Sequence, residues 1–149
     1  MAKDFVTTLV YARSFPIVGR GCYYLLKILG LEIPISVVVG EDLEIPHSGF
    51  GIVIHPWTKI GDRVKIYPGV TIGRGDIHRA ITESNFKGVE VSNDVILAAG
   101  CKIIGGEGLL KIGQGTIIGA NAVLLQSTGE NEIWAGVPAK RIGVREPPV

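Results

Sequence analysis

The stretch Ile54-His55-Pro56-Trp57-Thr58-Lys59-Ile60-Gly61-Asp62-Arg63-Val64-Lys65-Ile66-Tyr67-Pro68-Gly69-Val70-Thr71-Ile72-Gly73 repeats isoleucine every six residues. A helix would recur at 3.6 residues and a half-buried strand at two. Six fits neither as one long element. It fits a coil that turns a corner every six residues, with three sides per coil and each side paired to the same side of the coils above and below. The pattern extends both ways. Ile33, Val39 and Ile45 precede it; Val91, Leu97, Ile103 and then Ile112, Ile118, Leu124 follow. Glycine comes directly after several of these anchors, at Gly40, Gly61, Gly73, Gly113 and Gly119. An anchor points inward, and glycine tolerates the positive φ of a tight corner. The expected fold class is therefore an all-β solenoid, a parallel β-helix.

Composition agrees. The chain has 149 residues, enough for one domain with at most an appendage. Aromatic residues are 7% and glycines number 21, as a stack of small similar turns requires. Hydrophobic residues at 46% against 19% charged exclude disorder. A net charge of +1 provides no basic field for nucleic acid. Cys22 and Cys101 are read as reduced thiols. No signal peptide is evident, and the apolar stretch 5–31 is interrupted by Arg13, Pro16, Gly19, Arg20, Gly21 and Lys27, too often for a membrane span. A cytoplasmic location is expected.

The period breaks in three places. Ile45 to Ile54 and Ile103 to Ile112 are nine residues each, and Ile72 to Val91 is nineteen, so residues 74–88 are expected to project as a loop. His47 and His78 lie at breaks. Residues 1–31 lack the repeat and read as a helical segment of one or two helices, broken near Pro16 and Gly19/Gly21. Arg13, Arg20 and Lys27, spaced by seven, would share one face of a continuous helix, either a solvated stripe or a contact for anionic lipid headgroups. The repeat is expected over 32–128. Residues 129–149 form a cap and tail, with Trp134 closing the last coil, a turn through Lys140, and a frayed end at Glu146-Pro147-Pro148.

The apolar-Gly-x4 pattern resembles the hexapeptide-repeat acyltransferases, and over about residues 31–143 the chain is most similar to serine O-acetyltransferases. The resemblance rests on His47-Ser48-Gly49-Phe50-Gly51-Ile52-Val53-Ile54, which looks like the catalytic-histidine motif with one added residue. It rests also on Tyr67-Pro68-Gly69-Val70-Thr71-Ile72-Gly73, on Asp76-Ile77-His78-Arg79 as a second-histidine loop, and on Ala135-Gly136-Val137-Pro138-Ala139-Lys140, similar to a terminal Gly-Val-Pro-Ala-Arg signature. What it implies is a left-handed β-helix, acetyl-CoA as co-substrate with no metal, and a homotrimer with sites between subunits.

His47 is the candidate base, since an imidazole with an ordinary pKa near 6.5 can take a hydroxyl proton at neutral pH. Glu32 stands where the resemblance implies a carboxylate that orients the base, and two hexads with the three-residue break should bring it near His47. His78 would assist the base or meet the acceptor; His55 reads as structural. Arg74, Asp76 and Arg79 are candidates for holding an anionic acceptor or cofactor phosphate. The resemblance also implies that the pantetheine arm of CoA lies along Ala98-Ala99-Gly100-Cys101 and Gly119-Ala120-Asn121-Ala122, with Lys140 assisting, and a backbone N–H near Gly73 is expected to meet the thioester oxyanion. Two positions depart from the family. Pro46 replaces an aspartate before the base, and Ile77 an arginine before the second histidine. Both losses fall on amino-acid recognition, so the acceptor is L-serine or a sugar hydroxyl. A non-catalytic scaffold, and a zinc enzyme like the γ-class carbonic anhydrases, remain alternatives.

Overall fold

Short strands stack into the three sides of a coil. A computed structural model describes residues 4–146 of the chain. One side holds β1 (Val38–Val39), β3 (Thr58–Ile60), β6 (Phe86–Val91) and β9 (Gly108–Ile112). The second holds β4 (Lys65–Ile66), β7 (Ile96–Leu97), β10 (Ile117–Ile118), β12 (Glu132–Ala135) and β13 (Lys140–Val144). The third holds β2 (Val53–Ile54), β5 (Thr71–Arg74), β8 (Lys102–Gly105) and β11 (Val123–Leu124). All pairings are parallel except β12 with β13. Where no insertion intervenes, Val53 pairs with Thr71, three hexads on.

The anchors fill the interior: every one is buried except Val39, which is half-buried. A second inward row accompanies them, two residues before each anchor, and includes Val37, Val64, Val95, Cys101, Thr116 and Ala122. Alternate residues of a strand share a face, so each side sends two side chains inward rather than one. Each fully buried Val, Leu or Ile contributes about 1.5–3 kcal/mol.

The corners use left-handed backbone. Along one corner it falls on Gly51, Gly69, Gly100 and Asn121. At Gly100 a Cβ would stand 2.2 Å from Asn121 Oδ1 of the next coil, so only glycine fits. Another corner takes it on Asp42, Arg63, Asp94 and Asn131. There side chains tie coil to coil, as where Asp62 Oδ1 accepts the Glu41 N–H and Asn93 Oδ1 the Asp62 N–H, both at 2.8 Å.

Three boundaries differ from those the repeat suggests. The loop is 75–85, carrying a short 3-10 turn at Ile81–Glu83, because Phe86 is buried and opens β6 in register with Gly108. The stack does not stop at 128: β12 adds another side above β10, with Trp134 buried over Ile118. β13 then folds back antiparallel, so residues 140–144 are strand. Glu146 is exposed, and Pro147-Pro148 lie outside the described residues.

Two helices close the lower end, α1 (Phe5–Ala12) and α2 (Gly19–Ile28). Asp4 caps α1 by accepting the Thr7 N–H at 2.7 Å. Val6, Leu9, Val10 and Leu26 are buried and cover the open coil. The expected basic stripe does not exist, because the chain breaks before α2 and turns Arg13 inward. Arg13 is buried, and its guanidinium donates to the carbonyls of Val10, Val37 (2.5 Å) and Pro34 (3.3 Å). Burial lowers its pKa to about 10. Arg20 and Lys27 remain exposed. Among the described residues, no helix is long and apolar enough to cross a membrane.

Candidate active site

The corner between the second and third sides is built from the residues that follow the anchors Ile45, Ile66, Leu97 and Ile118. The pairing of β4, β7 and β10 sets Tyr67, Ala98 and Gly119 one above another. Hydrogen bonds run up the same column: Gly69 N–H to Phe50 O, Gly100 N–H to Pro68 O, and Asn121 N–H to Ala99 O. Gly119 N–H continues it to Trp134 O, and Lys140 pairs with Ala135 at the top. His47, Ala98, Ala99, Gly100, Gly119, Ala120 and Lys140, separated in sequence, thus occupy one edge of the prism.

His47 stands at the foot of that edge. The extra residues between Ile45 and Ile54 form a turn in which His47, Ser48 and Gly49 all have positive φ, at 56°, 61° and 61°. Such backbone costs of order 1–3 kcal/mol at a non-glycine residue and is kept where the surroundings enforce it. Here they do: a Cβ on Gly49 would stand 2.3 Å from Ile45 Cγ2, so Gly49 is wedged into the core while His47 projects to solvent. Its ring lies 6.4 Å from that of Tyr67, centroid to centroid.

Glu32 is engaged by α2. Its backbone pairs with Val53 on the third side, because the three-residue insertion falls within the corner after His47 and shifts the register there. Its carboxylate accepts the Tyr23 hydroxyl at 2.5 Å and pairs with Lys27 at 3.0 Å, both from α2. These two partners hold its pKa below the ordinary value against the opposing desolvation, which is the largest single influence. Among the described residues no hydrogen bond joins Glu32 to His47. Cys101 is a core residue, its thiol pushed up to about 12 by burial and its N–H given to Ala98 O. The N–H groups of Ala98, Gly100, Gly119, Asn121 and Ala122 are likewise used within the stack. Those of Ala99 and Ala120 make no hydrogen bond among the described residues, and both side chains are exposed.

The second cluster lies at the opposite end of the third side. Gly73 is a ladder residue paired with Ile104, and a Cβ there would meet open space. Arg74 folds the loop on itself: Nη1 donates to Asp76 Oδ1 at 2.8 Å and to its carbonyl at 3.0 Å, and Nη2 to Arg79 O at 2.6 Å. The Asp76 carboxyl is held low by Ser84 and by Arg74, so both residues brace the loop from within. His78 and the Arg79 side chain are exposed. His55, below the loop, packs edge-on against Phe86 and Trp57, at 4.9 and 5.7 Å between centroids, and its Nδ1 accepts the Trp57 N–H at 3.1 Å. Burial, and then the Arg74 charge, lower its pKa. That is the structural role expected of it. Among the described residues no group of three His, Cys, Asp or Glu side chains is placed to hold a metal ion.

Tyr67, beside His47, escaped the sequence reading although it had a signal: it follows the Ile66 anchor and so belongs to the same corner. The resemblance pointed to backbone N–H groups along the small-residue stretches, but which of them the stack leaves free depends on register.

No family model matches the chain. It is 37% identical over 119 residues to a serine acetyltransferase of Staphylococcus aureus (strain Mu50), covering 78% of this chain and 52% of that protein. It is 35% identical over 137 residues to a serine acetyltransferase of Helicobacter pylori (strain J99), covering 89% of this chain and 73% of that one. A solved serine acetyltransferase in complex with CoA superposes at a TM-score of 0.72 and 25% identity, over 92% of this chain and 55% of that one. The chain thus spans about half the length of the Staphylococcus relative. Identity at this level across most of the Helicobacter protein settles the kinship: the chain belongs to the serine acetyltransferase family, whose left-handed parallel β-helix it shares.

Proposed function

We propose that the chain transfers the acetyl group of acetyl-CoA to an acceptor hydroxyl, with His47 as general base. The observation that carries this reading is the single edge that joins the His47 turn to a column of small residues with two unpaired amides, Ala99 and Ala120. The pantetheine arm carries two amide groups, and exposed small side chains let it approach the backbone. A related serine acetyltransferase has been solved with CoA bound, which supports the same use of the scaffold.

In the reaction His47 takes the acceptor's hydroxyl proton as the oxygen attacks the thioester carbonyl carbon. The tetrahedral intermediate collapses, the carbon–sulfur bond breaks, and the departing CoA sulfur receives the proton from His47. No acyl-enzyme is needed, since Cys101 is buried and neither cysteine lies in the His47 turn. Glu32 is held by Tyr23 and Lys27 of α2, and the Tyr67 ring lies 6.4 Å from that of His47.

His47 and the loop bearing His78 and Arg79 sit at opposite ends of the third side, so one chain does not unite them. A homotrimer in which the loop of one chain meets the His47 edge of the next supports a shared site, with the exposed His78 and Arg79 facing the acceptor. Sedimentation at micromolar protein checks this, and a monomer refutes it. A cytoplasmic location fits two free thiols.

Pro46 leaves the cationic amino group of serine without a partner, and a lost charge-assisted bond of about 1.5–3 kcal/mol weakens serine use by roughly 10–150-fold. The decisive experiment is free-thiol release from acetyl-CoA with L-serine and with sugars as acceptors. His47→Ala should lower kcat about 10²–10⁴-fold with little change in acetyl-CoA affinity; full activity in that variant removes the proposal.

A further inference from the structure

The first side of the coil carries a groove of ≈ 460 Å³, away from the edge that bears His47. Its shape follows from one residue. Val89 N–H donates to Trp57 O and Gly88 pairs with Leu109, so Gly88 lies between Trp57 on the coil below and Leu109 on the coil above. Gly88 has φ +112°, and a Cβ there would stand 2.4 Å from Trp57 O, so no side chain fills the space between them. Side chains stand roughly perpendicular to a sheet, and these two strands are two spacings apart, about 9.5 Å. A ring touching both walls needs about 7–8 Å, so one ring fits. The walls are apolar and open: Trp57 is 48% exposed, Leu109 50%, and Val38 below them 58%. Phe86 supports the indole from behind, ring planes 8° apart and centroids at 6.1 Å, so the platform is preformed.

Charge supplies the occupant. Lys59 stands opposite Glu90, but Glu90 pairs with Lys111 of the next coil at 3.2 Å. The bulge between Phe86 and Gly88 leaves Lys87 out of the ladder and turns it to solvent. Both lysines line the groove, and neither has an ion pair among the described residues. The Trp57 Nε1–H also makes no hydrogen bond among them, and Ser36 Oγ, which donates to Pro56 O, keeps its acceptor lone pairs. A ligand that meets all of these has an apolar ring face, hydroxyls around the ring and an anion. The geometry points to a binding site for an acidic sugar, a pyranose bearing a carboxylate, seated between Trp57 and Leu109 with its anion at Lys59 and Lys87. The assignment is independent of the acetyl-transfer reading, and its test measures binding alone.

The test titrates the isotope-labelled full chain with methyl β-glucuronide, methyl β-glucoside and benzoate. NMR follows the Trp57 indole N–H, which is distinct from that of Trp134, held by Glu132 Oε2. The glucuronide should shift it saturably and bind about fivefold tighter than the glucoside, the share that two exposed ion pairs supply. It should also bind tighter than benzoate, which has the ring and the anion without the hydroxyls. Lys59→Gln combined with Lys87→Gln, both at exposed positions, should remove the preference and leave glucoside binding unchanged. Leu109→Glu, on the opposite wall, should weaken glucuronide binding about tenfold. Each variant decides alone if the other does not fold. No shift with the glucuronide, equal affinity for the two glycosides, benzoate binding as tightly as the glucuronide, or a preference that survives the loss of both lysines overturns the inference. A fall in sedimenting mass in Leu109→Glu assigns the groove to a contact between copies of the chain and also overturns it.

Discussion

Thr58 and Thr116 occupy equivalent places, each two residues before an anchor and each pointing inward, yet replacing them by valine should move stability in opposite directions. Thr58 is buried between Val37 on one coil and Val89 on the next, and its Oγ1 has no hydrogen-bond partner. A buried hydroxyl without a partner costs about 1–3 kcal/mol. Valine keeps the branching, continues the valine row and removes the penalty, so Thr58→Val should stabilise by about 1–2 kcal/mol. At about 2–4 °C per kcal/mol for a chain of this size, Tm should rise by roughly 2–8 °C. Thr116 is equally buried, but its Oγ1 donates to Gly129 O at 2.8 Å and accepts the Glu132 N–H at 3.2 Å. Thr116→Val leaves the Glu132 N–H without this acceptor and removes one of the two hydroxyls that donate to Gly129 O, Thr128 Oγ1 being the other, and should destabilise by about 1–2 kcal/mol. Thermal melts followed by circular dichroism, with urea titrations to confirm an unchanged m-value, measure both. If the two shifts share a sign, or Thr58→Val lowers Tm, the argument that unpaired hydroxyls set the cost is wrong.

Three further outcomes are expected. Ala99→Trp places a large side chain on the exposed corner without entering the core, so KM for acetyl-CoA should rise at least tenfold while Tm stays put; an unaltered KM would remove the cofactor from that edge. His55 has a folded pKa below its ordinary value, so its contribution is complete above about pH 6.5, where both states are neutral. It declines as pH falls from there toward the folded pKa, because the unfolded chain protonates first; His55→Gln should flatten that part of the stability profile, and an identical slope would exclude His55 as its source. Arg13→Met removes the guanidinium bonds to the carbonyls of Val10, Val37 and Pro34, the last of which keeps the Val37 N–H, while removing a buried charge, and the net should be a loss of about 1–3 kcal/mol, read by urea unfolding; a gain would mean desolvation outweighs the bonds.

The coil was legible because its anchors are all Ile, Val or Leu, at one fixed interval within each of four runs. The companion row was not, since Thr58, Cys101, Thr116 and Ala122 share no chemistry that a pattern search detects, only a position. The edge carrying Ala98–Gly100 and Gly119–Ala120 was singled out through the family resemblance, since small residues after anchors occur at every corner. The level of Glu32 was not legible, because counting residues does not reveal at which corner an insertion is absorbed, and its backbone pairs with Val53. Arg13 was assigned to solvent because a seven-residue spacing has meaning only on an unbroken helix, and here the break turns it onto carbonyls. Phe86 was counted as loop because the anchor interval resumes only at Val91, although pairing resumes five residues earlier.

Ala99 and Ala120 are far apart along the chain, and the second short insertion lies between them. Their separation in space is nonetheless one coil, about 4.8 Å, since hydrogen bonding between strands and not residue count sets the rise. The edge is therefore a ruler graduated by the sheet. Lengthening the chain at the far corner leaves the graduation unchanged, and only adding or removing a whole coil alters it, by a full step. On the proposed reading, a pantetheine arm laid along this edge would meet the same interval between Ala99 and Ala120 however the loops drift, so the loops could vary without recalibrating that distance.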